Sequence, residues 1–378
     1  MNFDLTPDQE MLQQSVQRLL DDTYDFEQRK AHLLSAQGWS TELWRQFADM
    51  GLLGLPFAEG DGGFGGGAVD IMLTMESLGR ALSLEPYFSA VILAGTALKL
   101  GADAGQRGRW MPALIEGRER YAFGHVERGA RYDLAHVRTR ARRDGGSWRI
   151  SGGKDFVLHG DSADKIIVSA RHAGADTDRE GISLFMVDAA AIRRRGYRTQ
   201  DGTRAADLLF DDVVVPDGDR IGEAGGALAL IDAVVDTGIA ALVAEAVGVM
   251  ERAHQITIDY MKIRKQFGTT IGSFQALQHR AVDMLVMIEQ ARSMAMYAGM
   301  MSEQADPSQR RQAVAAAKFF VGRAGKFIGE QAVQLHGGIG VTEECAVGHY
   351  FRRLTMIDVL FGDSSHHLTQ VALGGVLP

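Results

Sequence analysis

Three stretches of the chain crowd chemically capable side chains together. The first, LFGDSSHHL, runs from Leu360 to Leu368 and places an acid, two hydroxyls and two imidazoles between Asp363 and His367. Asp363, Ser364 and His366 are too close in sequence to converge on one nucleophile with triad geometry. His366 and His367 would leave a helix on different faces, which argues against a metal pair. Asp363 directly precedes a helix expected to start near Ser364, where an acid serves as an N-cap. These residues alone leave open whether Asp363 also acts as a base.

The second stretch is YMKIRKQFGTTIGSFQALQHR, Tyr260 to Arg280. It sets Arg264 and Gln266 at a helix end, then a glycine turn, then Phe274 and Gln275 entering the next helix. A guanidinium and amides beside a helix N-terminus suit a phosphate. The same residues also read as a surface Arg-Lys pair that complements a helix C-terminus. The third is QLHGGIGVTEE, Gln334 to Glu344, whose adjacent glycines let a flat ligand approach the backbone. No strand precedes it, so the dinucleotide-binding glycine motif does not apply, and a helix C-cap turn is the other reading. A fourth glycine-rich run, EGDGGFGGG at 59–67, lacks Gly-Lys-Ser/Thr and reads as a flexible connecting loop.

Helices and strands must position these stretches. Thr6-Pro7-Asp8-Gln9 is a helix start with a capping box, followed by Leu12, Val16, Leu19 and Leu20 at helical spacing. Further helices are expected over 40–50, 69–82 and 89–100. After about Arg118 the texture changes to SWRISG, KDFVLHG, KIIVSAR, GISLFMVD and DLLFDDVVV, short β-branched runs without helices between them. That predicts an all-β insert forming a barrel or sandwich. Residues 227–267 are apolar on nearly every face, as in a helix buried in a core or subunit interface. Over 312–335, Val314, Ala317, Val321, Ala324, Ile328 and Leu335 form a three-four stripe, with Gly322, Gly325 and Gly329 beside it to allow close helix approach.

The chain has 378 residues, 46% hydrophobic and 23% charged, with 40 basic against 48 acidic side chains and a net charge of −8. That disfavours nucleic acid or an anionic membrane as the main partner. The single cysteine, Cys345, excludes an intramolecular disulfide and multi-cysteine metal sites. The start, MNFDLTPDQE, has no secretory pattern, and no uncharged apolar run reaches the ~18 residues of a membrane span. The expectation is a soluble, cytoplasmic protein with no metal.

Taken together, YxxxRxxFG, the following Phe274-Gln275 and QxHGGxG resemble the acyl-CoA dehydrogenase family across essentially the whole chain. Stretches such as GLLGLPFAEGDGGFGGG, RYDLAHV and GHYFRRLTMID are similar to its subfamily of pimeloyl-CoA dehydrogenase small subunits. The resemblance implies an α+β fold, with an N-terminal helical domain (1–118), a middle β-barrel domain (119–222) and a C-terminal four-helix bundle (223–378). It implies FAD as cofactor, an acyl-CoA substrate, electron-transferring flavoprotein as acceptor and a tetramer. A carboxylate would remove the α-proton as the β-hydride passes to flavin. Arg264, with Phe267 and Gln275 beside it, would hold the pyrophosphate of a neighbouring chain's FAD. Gln334 to Gly338, including Gly337, would line the adenine end. Ser364 and His366, with Ser365, would sit on the flavin side. Phe156 stands where a stacking tryptophan is usual, and Arg131 is the candidate cation for a dicarboxylyl substrate such as pimeloyl-CoA.

The pattern has gaps. Glu127 and Asp133 match the family's T-E-P-x-x-G-S-D motif, but Val126 replaces its threonine, and Arg131 and Tyr132 replace its Gly-Ser. Leu158 takes the place of a threonine. Gly362 stands where the family's catalytic glutamate belongs, and Gly238 occupies the second known location on the long helix. Asp363 is one residue from the first position, and Glu245 is two helical turns past the second and a poor substitute. Two readings follow. In one, a self-sufficient homotetrameric enzyme uses Asp363 as its base. In the other, this is one subunit of a heteromer whose large subunit supplies the base. A structural subunit without flavin is a third class.

Overall fold

The computed structural model of the chain describes residues 5–374. Two compact units share them. The first takes the residues up to 31, 68–83 and those from 239 on; the second takes 32–67 and 84–238.

In the first unit, α1 (Pro7–Thr23) opens with the expected capping box: Thr6 Oγ1 accepts from Gln9 N–H and Gln9 Oε1 accepts from Thr6 N–H. It packs on α4 (Ala68–Ala81). α2 (Phe26–Leu34) follows α1. The long α7 (Leu228–Ile263) contributes its second half. α8 (Gln275–Ser302), α9 (Pro307–His336), α10 (Ala346–Val359) and α11 (Ser364–Leu373) complete the unit. α9 packs against α8, α10 and α11, which makes it the axis of the C-terminal bundle. Where α7 crosses α4, a Cβ at Gly248 would lie 1.9 Å from Glu76 O, and one at Gly79 would lie 2.1 Å from Glu245 O. The two backbones touch there, so no larger residue fits. Among the described residues α7 alone is long and apolar enough to cross a membrane. However, 89% of its apolar window is buried, so its composition is that of a core helix.

In the second unit, α3 (Thr41–Asp49) is capped by Ser40 and buries Leu43, Trp44 and Phe47. The helix expected over 89–100 is not one regular helix: a π-helical segment, Phe88–Gly95, precedes α5 (Thr96–Gly101). Gly95 there meets the Phe57 ring, 2.5 Å from where a Cβ would sit. α6 (Ala104–Ile115) follows. The glycine-rich run, expected to be flexible, is tied down: Gly63, Gly65 and Gly66 donate backbone N–H bonds to Ala58, Phe57 and Leu55.

The β insert comprises β1 (Tyr121–Gly124), β2 (Arg140–Asp144), β3 (Ser147–Leu158) and β4 (Lys165–Arg171). β5 (Ile182–Asp188), β6 (Arg193–Arg198), β7 (Arg204–Pro216) and β8 (Arg220–Ile221) follow. The ladder runs β6-β7-β3-β2-β4-β5-β8, with β1 parallel to β4. Its ends, β6 and β8, are edges. Trp148, Ile150, Val157, Ile166, Val168 and Phe185 are in its core. β3 slips register against β7 twice, between Ile150 and Gly152 and between Lys154 and Val157. The second slip carries Phe156 into the left-handed region, at φ 56°.

Candidate functional site

α9 and the turn between α10 and α11 build the LFGDSSHHL region. Phe361 (φ 57°) and Gly362 (φ 116°) reverse the chain. Asp363 caps α11, its Oδ1 accepting from His366 N–H at 2.8 Å. Ser364 donates both its N–H and its hydroxyl to Asp358 Oδ1, at 3.2 and 2.6 Å. Lys318 reaches across from α9 and donates to the carbonyls of Asp358 (2.7 Å) and Gly362 (2.8 Å). It is fully buried, and burial pushes its ammonium down to about 8, against the pull of Asp358 and Asp363. Burial, then the charge of Lys318, pushes His367 down to about 3, so that ring is neutral near pH 7; its Nε2 lies 3.1 Å from Phe361 O. The His366 and His367 rings meet edge-on at 5.1 Å. Among the described residues no group of three or more His, Cys, Asp or Glu could hold a metal.

Gly362 is more than a missing side chain. A Cβ there would lie 2.6 Å from His366 Cδ2 and 2.7 Å from His367 Nε2, and its φ is one that L-residues rarely adopt. The two imidazoles fill the space a glutamate would need. The second location is no more acidic. Gly238 is buried in α7. Glu245 accepts two hydrogen bonds from Arg353, at 2.6 and 2.7 Å, in a bidentate pair of largely buried side chains.

The Tyr260–Arg280 stretch departs from its expected form. α7 stops at Ile263, not near Phe267, and a small hairpin follows, β9 (Lys265–Gln266) pairing with β10 (Thr269–Thr270). Phe267 (φ 53°) and Gly268 (φ 82°) form its two-residue tip, both with the positive φ that a type I′ turn requires. Arg264 and Gln275 are exposed, and Phe267 is 93% exposed, its ring edge-on to Phe274 at 6.3 Å. The QLHGG segment closes α9 nearby. Tyr260 stacks on His336 with ring centroids 4.4 Å apart, and its hydroxyl lies 3.4 Å from His336 O. This stack ties the two motifs together. His336 Nδ1 bonds Ala332 O at 2.8 Å, and burial lowers its pKa below the usual value. Gln334, Gly337 and Gly338 are exposed, and a Cβ at either glycine would meet nothing within 4 Å. A guanidinium, amides and an open glycine backbone suit a phosphate and a flat ring.

In the second unit, Glu127 and Lys154 form a buried ion pair at 2.5 Å. Glu127 also accepts from the N–H groups of Arg138 (2.7 Å) and Thr139 (3.1 Å), and Lys154 donates to Ser169 Oγ (2.8 Å). Burial pushes Lys154 down to about 8. Burial by itself would raise Glu127, but Lys154 and the amide donors overcome it and hold the carboxyl below its usual range. The motif glutamate thus braces the loop before β2. Asp133 accepts from Ala135 N–H at 3.0 Å. Phe156 is half-buried, with its N–H on Asp207 Oδ1 at 3.3 Å, and Leu158 is buried. Arg131 is exposed at φ 51°. Lys318 is the residue that motif reading misses. The available signal is a lysine directly after Ala317 inside an apolar stripe.

Sequence models of the acyl-CoA dehydrogenase N-terminal, middle and C-terminal domains match residues 6–118, 122–213 and 228–375. The chain is 31% identical over 318 residues to acyl-CoA dehydrogenase FadE12 of Mycobacterium tuberculosis, covering 82% of this chain and 81% of the relative. It is similar to a chain of the structure described as the electron transferring flavoprotein of Acidaminococcus fermentans, with 26% identity, TM-score 0.93 and full coverage of both chains. It is also similar to a chain of a variant of the Tcur3481-Tcur3483 steroid ACAD, with 28% identity, TM-score 0.87 and 97% of each chain covered. The chain belongs to the acyl-CoA dehydrogenase family, FAD-dependent oxidoreductases that act on the CH–CH group of an acyl-CoA.

Proposed function

We propose that this chain is one subunit of a heteromeric acyl-CoA dehydrogenase, and that its large partner subunit supplies the catalytic carboxylate. The observation that carries this reading is Gly362, whose φ of 116° and close approach to the His366 and His367 rings oppose a glutamate side chain there unless both rings shift. Asp363 is committed to capping α11 and Glu245 to Arg353. Polar contacts are also missing at Val126, Phe156 and Leu158, where the resemblance puts the flavin ring. The outward residues Arg264, Phe267, Gln275, Gln334, Gly337 and Gly338 are all exposed and available to a second chain. The Tcur3481-Tcur3483 structure, itself named for two chains, supports the two-chain arrangement.

FAD, when bound, supplies the hydride acceptor. In this reading the residues of this chain hold its phosphates through Arg264, approach its adenine end through Gly337 and Gly338, and wall the ring side with Ser364 and His366. Electron-transferring flavoprotein is the proposed acceptor. A dicarboxylyl-CoA such as pimeloyl-CoA is the proposed substrate, with Arg131 the cation for its distal carboxylate.

The test is a visible spectrum of the chain alone and of the chain co-expressed with its large subunit, before and after anaerobic addition of pimeloyl-CoA. A pair that is yellow and bleaches, beside a lone chain that does not, is the expected result. A lone chain that bleaches overturns it and makes Asp363 the base. A pair without flavin points to a structural subunit.

A further inference from the structure

The second unit holds a cleft of about 640 Å³ between the loop before β2, the bent part of β3, and strands β6 and β7. Its volume is in the range of small-molecule sites. Six cationic side chains line it: Arg128, Arg138, Lys154, Arg193, Arg194 and Arg195. Three acids oppose them, Glu127, Asp155 and Asp207. This excess is local, since the whole chain carries −8.

The cations have different tasks. Lys154 forms the closed floor with Glu127 and Ser169. Arg194 holds the carbonyls of Gly160, Asp161 and Ala163, and Arg195 pairs with Asp207 at 2.5 Å. The remaining three are loosely engaged. Arg128 lies 3.7 Å from Asp155, Arg138 3.6 Å from Asp176, and Arg193 3.3 Å from Asp211. Their side chains are 84%, 66% and 75% exposed. Pairs at such lengths and exposures contribute little stability. The three forks are therefore available to an anion at small cost to the fold.

We propose that this cleft binds the phosphates of a nucleotide, with Arg128, Arg138 and Arg193 as the bidentate donors. Guanidiniums recognise phosphate oxygens through paired N–H donors, and three of them suit a group with more than one phosphate. CoA and free nucleotides both carry that chemistry. The competing account is that arginines merely protect β6, an edge strand, from pairing with other chains. It predicts no ligand.

The test is calorimetric titration of the flavin-loaded protein with inorganic pyrophosphate, ADP, CoA and adenosine, for the natural chain and for an Arg128→Gln/Arg193→Gln variant. Binding of pyrophosphate, ADP and CoA, weakened about tenfold or more in the variant and by added salt, is expected. Adenosine should not bind. ADP binding equal to or above CoA identifies a free nucleotide as the ligand, whereas CoA binding well above ADP assigns the signal to the acyl-CoA substrate's own site and overturns the proposal. Equal affinities for variant and natural chain, or no binding of any phosphate, overturn the proposal. Arg138→Gln is the second variant should the double one misfold. Flavin content and bleaching are read alongside, so failure here is distinguishable from failure of the two-chain reading.

Discussion

The turn before α11 and the hairpin after α7 belong to the same unit, and both lie in stretches dense in polar side chains, yet they have opposite characters. At the turn, Lys318 donates to the carbonyls of Asp358 and Gly362, Ser364 donates to Asp358, Asp363 accepts from His366 N–H, and the two histidine rings occupy the space beside Gly362. At the hairpin, Phe267 stands 93% exposed and Arg264 and Gln275 face outward. The first region packs its polar groups inward; the second turns its side chains to solvent.

The largest expected effect comes from the buried pair that disqualifies Glu245. Arg353→Met leaves a carboxylate buried without its partner and should destabilise the protein by about 3–5 kcal/mol, measured by urea unfolding. A loss under about 1 kcal/mol would mean Glu245 is not held as described, and would return it to consideration as a base. Next comes Gly362→Glu, which must shift two imidazoles and adopt an unfavourable φ, at about 2–4 kcal/mol. A Gly362→Glu variant that is as stable as the natural chain and bleaches alone would erase the contrast between the two regions.

Lys318→Met should cost about 1–3 kcal/mol by leaving the buried Gly362 carbonyl and the half-buried Asp358 carbonyl without this donor. Its pH dependence sharpens the point. The folded pKa is about 8, below the ordinary lysine value of ~10.4, so between those values the unfolded chain binds more protons. This lysine therefore makes stability rise with pH over that window and contributes no slope below about 7. The Met variant should lose that rise, seen as a change in the pH profile of its unfolding midpoint. The smallest effect on stability belongs to Phe267→Ser, within about 0.5 kcal/mol, because an exposed tip contributes little to folding. It should instead lower retention of flavin in the assembled enzyme, read from the absorbance ratio after gel filtration. A variant that keeps its flavin would leave the hairpin without its proposed role.

Much of the molecule is legible in the sequence where a local rule decides. The Thr6 capping box, the α9 stripe and the cap at Asp363 depend on residues within a few positions of one another, and each appears as its spacing implies. The end of α7 departs from its expected position because Phe267 carries no turn signal; its positive φ is imposed by the hairpin around it. Phe88–Gly95 reads as an ordinary helix because π-helical winding leaves no compositional mark. Lys318, Arg353 and the cleft arginines are likewise hidden, because their partners lie far away in the chain.

The order of helical, β and helical segments, the family motifs, and the absence of a glutamate at position 362 all follow from the amino-acid sequence. They depend on residue identity and short-range periodicity. Three further points needed the folded chain: position 362 does not readily take a side chain, Glu245 is paired with Arg353, and Tyr260 joins two distant motifs. Each of those rests on side chains distant in sequence competing for the same few ångströms, which no local pattern records.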